Sequence, residues 1–379
     1  MGGVRRLIAA STSLLLVLTL TIPAAGADTD GDGLWDSFEQ KYGLTDPNLR
    51  DTDRDGVIDS AEDNDGDGLS NRGEQRFKTN PRKRDTDGDG KSDAKEDNNR
   101  NGISNGREQD KRKVPADLRP SLGAAVHDFP PIRFKCQTPH GQITPRVCKF
   151  GPIGEKRVAL FGDSHAMMWS EPVKRATVNK GWRFLTMTKT ACPALLGIYT
   201  KKQIELDRGY SCQRWRWKVI NLFKKNPPDL IIITQSDRYK LYSKTGAVQP
   251  SSKKKTLWKQ ALKRTLDALP KKSRVVVLGD VPHNRVNPRR CLNHNRNDMS
   301  KCVTRKAGAP GRQIEIGLRQ TAYANGAHFR TLYGKICSYD PCPVVQGNKL
   351  IWRDHGHVTN RFAVQLQPAV QNIIEAALK

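Results

Sequence analysis

The chain has 379 residues, with 65 lysines and arginines against 39 aspartates and glutamates, a net charge of +26 at neutral pH. The excess is uneven: residues 121–379 hold 46 basic and 15 acidic side chains, a net +31, whereas the first 120 residues are acidic on balance. This length leaves room for two or three domains, the asymmetry excludes one uniformly charged body, and past residue 27 no stretch reaches the roughly 20 apolar residues of a membrane-spanning helix.

At the N-terminus, Arg5 and Arg6 precede an apolar run from Leu7 to Ile22, and Pro23-Ala24-Ala25-Gly26-Ala27 ends in a small-x-small pattern suited to signal peptidase. Residues 1–27 are read as a secretory signal cleaved after Ala27. A retained membrane anchor is the competing reading, weakened by the shortness of the run and by Ser11, Thr12 and Ser13. After cleavage no integral membrane segment is expected, and the protein is expected to be secreted, extracellular or cell-wall associated.

Between Asp28 and Glu108 a twelve-residue pattern recurs five times, too regular for chance. Its oxygen-bearing positions are Asp28, Asp30, Asp32, Asp36 and Glu39; Asp51, Asp53, Asp55, Asp59 and Glu62; Asp63, Asp65, Asp67, Asn71 and Glu74; Asp85, Asp87, Asp89, Asp93 and Glu96; and Asp97, Asn99, Asn101, Asn105 and Glu108. Oxygen ligands at loop positions 1, 3, 5 and 12, glycine at 6 for the sharp turn, and a backbone carbonyl at 7 are what calcium requires. The carbonyls would come from Leu34, Val57, Leu69, Lys91 and Ile103. Because the loops begin at residues 28, 51, 63, 85 and 97, the second abuts the third and the fourth abuts the fifth, with no room for the helices of an EF-hand.

With the connectors Gly43-Leu44-Thr45-Asp46-Pro47 and Lys78-Thr79-Asn80-Pro81, residues 28–110 resemble bacterial thrombospondin type 3 repeats. The resemblance implies a chain wound around a row of structural calcium ions, with little regular secondary structure or hydrophobic core. Without calcium the crowded carboxylates are expected to repel one another and leave the segment disordered. The fifth loop, whose charged ligands are only Asp97 and Glu108, is expected to bind most weakly. Residues 111–127, basic and proline-containing, read as a linker, so the repeats are expected to form a stiff spacer ahead of residues 128–379.

In that last region short apolar runs alternate with helical patterns, as in an α/β domain with a parallel sheet. Strands are predicted at 157–162, 184–188, 229–234, 274–279 and 327–332. Helices are predicted at 166–179, 208–225, 254–268 and 311–325, with a final one from Val358 to Ala377. Core packing is the expectation for both Trp215 and Trp217. Eight cysteines suit an exported, disulfide-bonded protein, and their order suggests the local pairs Cys136 with Cys148, Cys192 with Cys212, Cys291 with Cys302, and Cys337 with Cys342. Zinc is the competing idea, but no C-x-x-C or His-x-x-x-His spacing accompanies them.

The apolar run Arg157-Val158-Ala159-Leu160-Phe161 leads into Gly162-Asp163-Ser164-His165, which puts Ser164 at the C-terminal end of a strand, where open α/β sheets bind ligands. Near the other end of the chain Asp354-x-x-His357 offers a base and a carboxylate to orient it. His355 and His165 are rival bases, and Asp163 reads as a hydrogen-bonding turn residue.

With Lys189-Thr190-Ala191-Cys192-Pro193, Cys212-Gln213-Arg214-Trp215, Leu278-Gly279-Asp280-Val281-Pro282, Cys291-Leu292 and Val358-Thr359, these motifs resemble an SGNH (GDSL-type) hydrolase domain. More narrowly, they are similar to the variety fused to acyltransferase family 3 membrane proteins, over roughly residues 130–375. The resemblance implies a three-layer, flavodoxin-like α/β fold, a parallel sheet with helices on both faces. It also implies a catalytic triad of Ser164, His357 and Asp354, no catalytic cofactor, and removal or transfer of O-acyl groups, often acetyl, on cell-surface glycans. The membrane half that delivers acyl groups is not in this chain, so a transferase would need a separate donor protein or lipid. The asparagine that lends the family an oxyanion-hole donor is also missing after the third strand, where Thr234-Gln235-Ser236-Asp237 stands, leaving Gln235 or Ser236 as substitutes.

The basic field of residues 121–379 favours an anionic cell-surface or cell-wall glycan, and nucleic acid is not expected for an exported chain. The expected function is thus a secreted serine esterase or O-acyltransferase. The alternative is a non-catalytic, calcium-dependent adhesion or wall-binding protein on the same scaffold.

Overall fold

A computed structural model of the chain describes residues 26–200, 208–304 and 312–379. The expected signal, apart from its last two residues, lies outside the described residues.

Eleven strands are present among the described residues: β1 Gln137–Thr138, β2 Cys148–Phe150, β3 Arg157–Gly162, β4 Arg183–Lys189, β5 Tyr199–Thr200, β6 Leu230–Thr234, β7 Leu241–Tyr242, β8 Arg274–Leu278, β9 His328–Arg330, β10 Val345–Gln346 and β11 Lys349–Leu350. Seven of them form one sheet in the order β1-β4-β3-β6-β8-β9, with β2 also pairing β4. All pairs in that sheet are parallel except β2 with β4.

Side chains alternate along a strand, so both faces of this sheet are apolar. Val158, Leu160, Phe184, Ile232 and Val276 join a core with helices Ser170–Val178 and Gln367–Leu378. Ala159, Phe161, Met187, Ile233 and Val277 join a second core with Trp215 and Trp258, from helices Arg208–Lys225 and Ser251–Ala268. This is the expected α/β architecture with helices on both faces. Trp215 is buried against Phe161, but Trp217 is 46% exposed, contrary to the expectation of core packing.

The predicted strands and helices appear, with instructive differences. The helix predicted from residue 166 begins at Ser164 and breaks at Trp169 into Ser164–Met168 and Ser170–Val178. The final helix starts later than Val358, because Val358 bridges Trp352, and it comes as two pieces, Asn360–Gln365 and Gln367–Leu378. All four disulfides join the cysteines that chain order suggested.

The repeat segment contains only short helices, among them Asp36–Tyr42 and Asn71–Phe77. It is not a spacer standing off from the α/β domain. Gln365 Nε2 donates to Gly56 O at 2.9 Å, Tyr339 Oη donates to Asp110 at 3.0 Å, Lys335 pairs with Asp55, and Val57, Ile58, Ala61 and Tyr339 share a small apolar cluster. The stretch 111–127 is packed as well, with Leu118, Leu122 and Ala125 buried in the first core.

Candidate active site

Gly162 ends β3 where any larger residue would fail, since a Cβ there would lie 1.8 Å from Thr234 O on the neighbouring strand. This close approach delivers Asp163 and Ser164 to the C-terminal edge of the sheet. Asp163 is fully buried and caps the helix that begins at Ser164: its Oδ1 accepts from His165 N at 2.8 Å, and its Oδ2 accepts from Ser236 N at 3.1 Å and Tyr239 Oη at 2.7 Å. It thus ties the serine turn to the loop after β6.

The second motif is a tight turn closed by the Trp352–Val358 bridge. Asp354 Oδ1 accepts from the backbone N–H groups of Gly356 (3.0 Å) and His357 (2.8 Å), which aims the His357 ring back at its own carboxylate. His357 Nδ1 lies 2.9 and 3.0 Å from the two Asp354 oxygens, and Nε2 lies 3.0 Å from Ser164 Oγ. An ionised carboxylate can only accept, so Nδ1 donates and Nε2 is left to accept from the serine hydroxyl. The structure therefore brings Ser164, His357 and Asp354 into one relay across 190 residues of sequence. His355 is exposed and its carbonyl accepts from Asn284 N, while His165 turns the other way.

His165 leads to a polar cluster that sequence reasoning missed. Its Nδ1 donates to Asp280 Oδ1 at 2.5 Å, and His283 Nε2 donates to Asp280 Oδ2 at 2.7 Å. Asp280 also accepts from the backbone N–H groups of Val281 and Asp237. Burial opposes charge on the His165 imidazole, but the Asp280 carboxylate outweighs it and pushes its pKa up to about 9. His357, whose ring centroid is 4.5 Å away, experiences the opposite effect. Burial, then the His165 cation, pushes it down to about 4, despite the Asp354 hydrogen bond. Asp354, although burial alone would raise it, is held below the usual carboxylate range by His357. The pattern Asp280-x-x-His283, which repeats the spacing of Asp354-x-x-His357, was the signal available in the sequence.

A cavity of about 690 Å³ opens over Ser164 and His357. Of the two suggested oxyanion donors, Ser236 lines this cavity, while Gln235 lines a neighbouring one of about 520 Å³. The Ser236 N–H is already committed to Asp163, so only its hydroxyl can donate. Ala191, also on the cavity wall, has φ +51°, a left-handed conformation uncommon outside glycine that clusters at functional sites.

In the repeats, Asx hydrogen bonds fold the loops as their spacing implies: Gly33 N and Gly56 N donate to the position-1 carboxylates of Asp28 and Asp51, and both glycines have positive φ. Carboxylates gather in the groups Asp28-Asp30-Asp32, Asp51-Asp53-Asp55, Asp63-Asp65-Asp67 and, across two loops, Asp65-Glu74-Asp93. Buried oxygens of Asp30, Glu39, Asp65 and Glu74 have no hydrogen-bond partner, and burial pushes Glu39 and Glu62 up to about 8 and Glu74 to about 9. These donor sets fit a hard cation, which would supply the missing positive charge. The fifth loop differs, because Glu108 already accepts from Asn99 and Asn101 and pairs with Lys111.

The family described as SGNH domain (fused to AT3 domains) matches residues 135–372. The bacterial TSP3 repeat matches residues 28–49 and 63–83. No curated protein matches the chain. Among solved structures, the periplasmic domain of a lipopolysaccharide acetyltransferase from Salmonella ser. Paratyphi A is 21% identical, covering 59% of this chain and 85% of its own, with a TM-score of 0.47. A carbohydrate acetylesterase family member from Sinorhizobium meliloti is 12% identical, covering 59% and 99%, with a TM-score of 0.34.

Proposed function

The chain belongs to the SGNH domain family of the kind fused to AT3 domains, and for this SGNH-type esterase or O-acyltransferase we propose a Ser164–His357–Asp354 triad that acts on O-acyl groups of cell-surface glycans outside the cell. The observation that carries the reading is the continuous hydrogen-bonded path from Ser164 Oγ through His357 to Asp354, combined with a depressed His357 pKa that leaves the imidazole neutral and able to take a proton at physiological pH.

In the first step Ser164 Oγ attacks the ester carbonyl carbon while its proton passes to His357 Nε2. The charge that develops on the carbonyl oxygen is met by the Ser164 N–H at the start of its helix, with Ser236 Oγ–H or Ala191 N–H as second donor. His357 then returns the proton to the departing sugar oxygen, leaving an acyl-serine. In the second step His357 takes a proton from water, or from an acceptor sugar hydroxyl, as that oxygen attacks the acyl carbon. Asp354 holds the Nδ1–H tautomer throughout and stabilises the transient imidazolium.

Export is supported by the four disulfides, which persist in oxidising compartments. Among the described residues no helix is long and apolar enough to cross a membrane. The repeats, whose donor sets fit calcium, serve as a structural metal module beside the catalytic domain. The test is hydrolysis of p-nitrophenyl acetate by the wild-type protein and by Ser164→Ala, with a fluorophosphonate probe in parallel. A loss of about 10³-fold or more, with labelling confined to the wild type, is expected. Equal rates and equal labelling would reduce the protein to a binding module.

A further inference from the structure

We propose that the cavity beside Ser164 contains a subsite for the carboxylate or phosphate of an acidic sugar residue, formed by Arg133 and Arg353 stacked on Phe129. This rests on the esterase or acyltransferase reading and narrows its substrate to acylated anionic saccharides.

The two arginines come from opposite ends of the catalytic domain and meet on one ring. The guanidinium carbon of Arg133 lies 3.8 Å from the Phe129 ring centroid, and that of Arg353 lies 4.4 Å from it. The Arg133 guanidinium is held against the ring with no carboxylate paired to it among the described residues, and that of Arg353 lies between the ring and a 3.4 Å ion pair with Asp354 Oδ2. Both residues line the cavity that contains Ser164 and His357, and Arg238, Lys240 and Arg289 line it too.

The counter-charge does not match this accumulation. Among the described residues the one carboxylate on the cavity wall is Asp354, whose oxygens already accept from His357 and from two backbone N–H groups besides pairing with Arg353 at 3.4 Å. Arg133 forms no ion pair among the described residues, and Arg289 Nε is buried without a hydrogen-bond partner. Burial lowers the pKa of both Arg133 and Arg353, and Arg133 itself contributes to the lowering at Arg353. Cations assembled in a partly desolvated cavity are costly unless a ligand supplies the anion. A guanidinium pair matches the paired oxygens of a carboxylate or phosphate in a way that neutral hydroxyls do not. The acyl group is neutral, so the charge must sit on the sugar that carries it.

The test compares acetyl release from acetylated polygalacturonate, from an acetylated glycerol-phosphate polymer and from acetylated xylan. The expected ratio of kcat/KM for an anionic polymer over xylan is about tenfold or more at low salt, shrinking as salt screens the contact. Arg133→Gln and, separately, the exposed Arg238→Gln should each lower that ratio several-fold, while Lys224→Gln, on a distant surface, should not. Which anionic polymer is preferred identifies carboxylate or phosphate as the source.

A second measurement does not depend on turnover: Ser164→Ala is titrated with oligogalacturonate, with glycerol-phosphate oligomer and with xylo-oligosaccharide. Tighter binding of either anion, weakened by adding Arg133→Gln, supports the subsite even if p-nitrophenyl acetate shows no Ser164-dependent turnover and the enzyme reading falls. Equal affinity for charged and neutral oligosaccharides, or a ratio unmoved in both arginine variants, overturns the proposal.

Discussion

At the scale of single residues, the site is organised by two aspartate–histidine pairs with opposite protonation. Burial and then the His165 cation 4.5 Å away push the His357 imidazole down, whereas the Asp280 carboxylate outweighs burial and pushes His165 up. The pH dependence follows. His357 must be neutral to act, so the acidic limb of kcat/KM should fall near pH 4, with activity lost as pH drops through it. His165→Asn removes the neighbouring cation but leaves the burial, so the His357 pKa should rise part of the way toward the ordinary histidine value and the limb should move up in pH. A limb that stays in place in the variant would show that His165 does not set the base. The serine, the late histidine and its aspartate were legible in the sequence because each sits in a short local motif. Of the cluster of His165, Asp280, His283 and Asp237 only the Asp280-x-x-His283 spacing was, because its members come from three separate strand-end loops.

At the scale of elements, the apolar runs announced β3, β6 and β8 within a residue or two, since a strand buried on both faces has no polar interruption. The two-residue strands β1, β5, β7, β10 and β11 escaped notice, because segments so short have no period to read. One of the missed elements, β1, pairs with the end of β4 at Thr188 and Lys189 and so braces the turn that carries Ala191. The disulfide Cys192–Cys212 fastens the same turn to helix Arg208–Lys225. Replacing both of its cysteines by serine should lower stability by about 2–4 kcal/mol, read as a drop in Tm. It should also reduce kcat/KM more than Cys291→Ser with Cys302→Ser, whose disulfide lies away from the Ala191 turn. Equal kinetic effects from both pairs would detach the Ala191 turn from the chemistry.

At the scale of the whole molecule, the repeats and the SGNH domain share an interface placed just after His357. Gln365, which donates to Gly56 O, lies on the helix that Thr359 caps, and Asp110 and Gln109 reach Tyr339 and Asp340 O. If calcium holds the acidic loops in this shape, chelation with EGTA should lower the Tm of the catalytic domain as well as unfold the repeats, because the contacts at Gly56, Val57, Ile58 and Ala61 would be lost. Two independent transitions, the upper one unmoved by EGTA, would show that the interface does not couple them. The sequence alone determined the repeat spacing and the alternation of strands and helices, and it suggested the disulfide partners and the grouping of Ser164 with Asp354 and His357, because each is written in spacing along the chain or in a short local motif. Only the tertiary structure decided that the repeats clasp the SGNH domain, that His165 and Asp280 lie beside His357, and that Arg133 and Arg353 meet on Phe129. Those facts depend on contacts between residues as many as 309 positions apart, and no local pattern records which distant surfaces the fold will bring together.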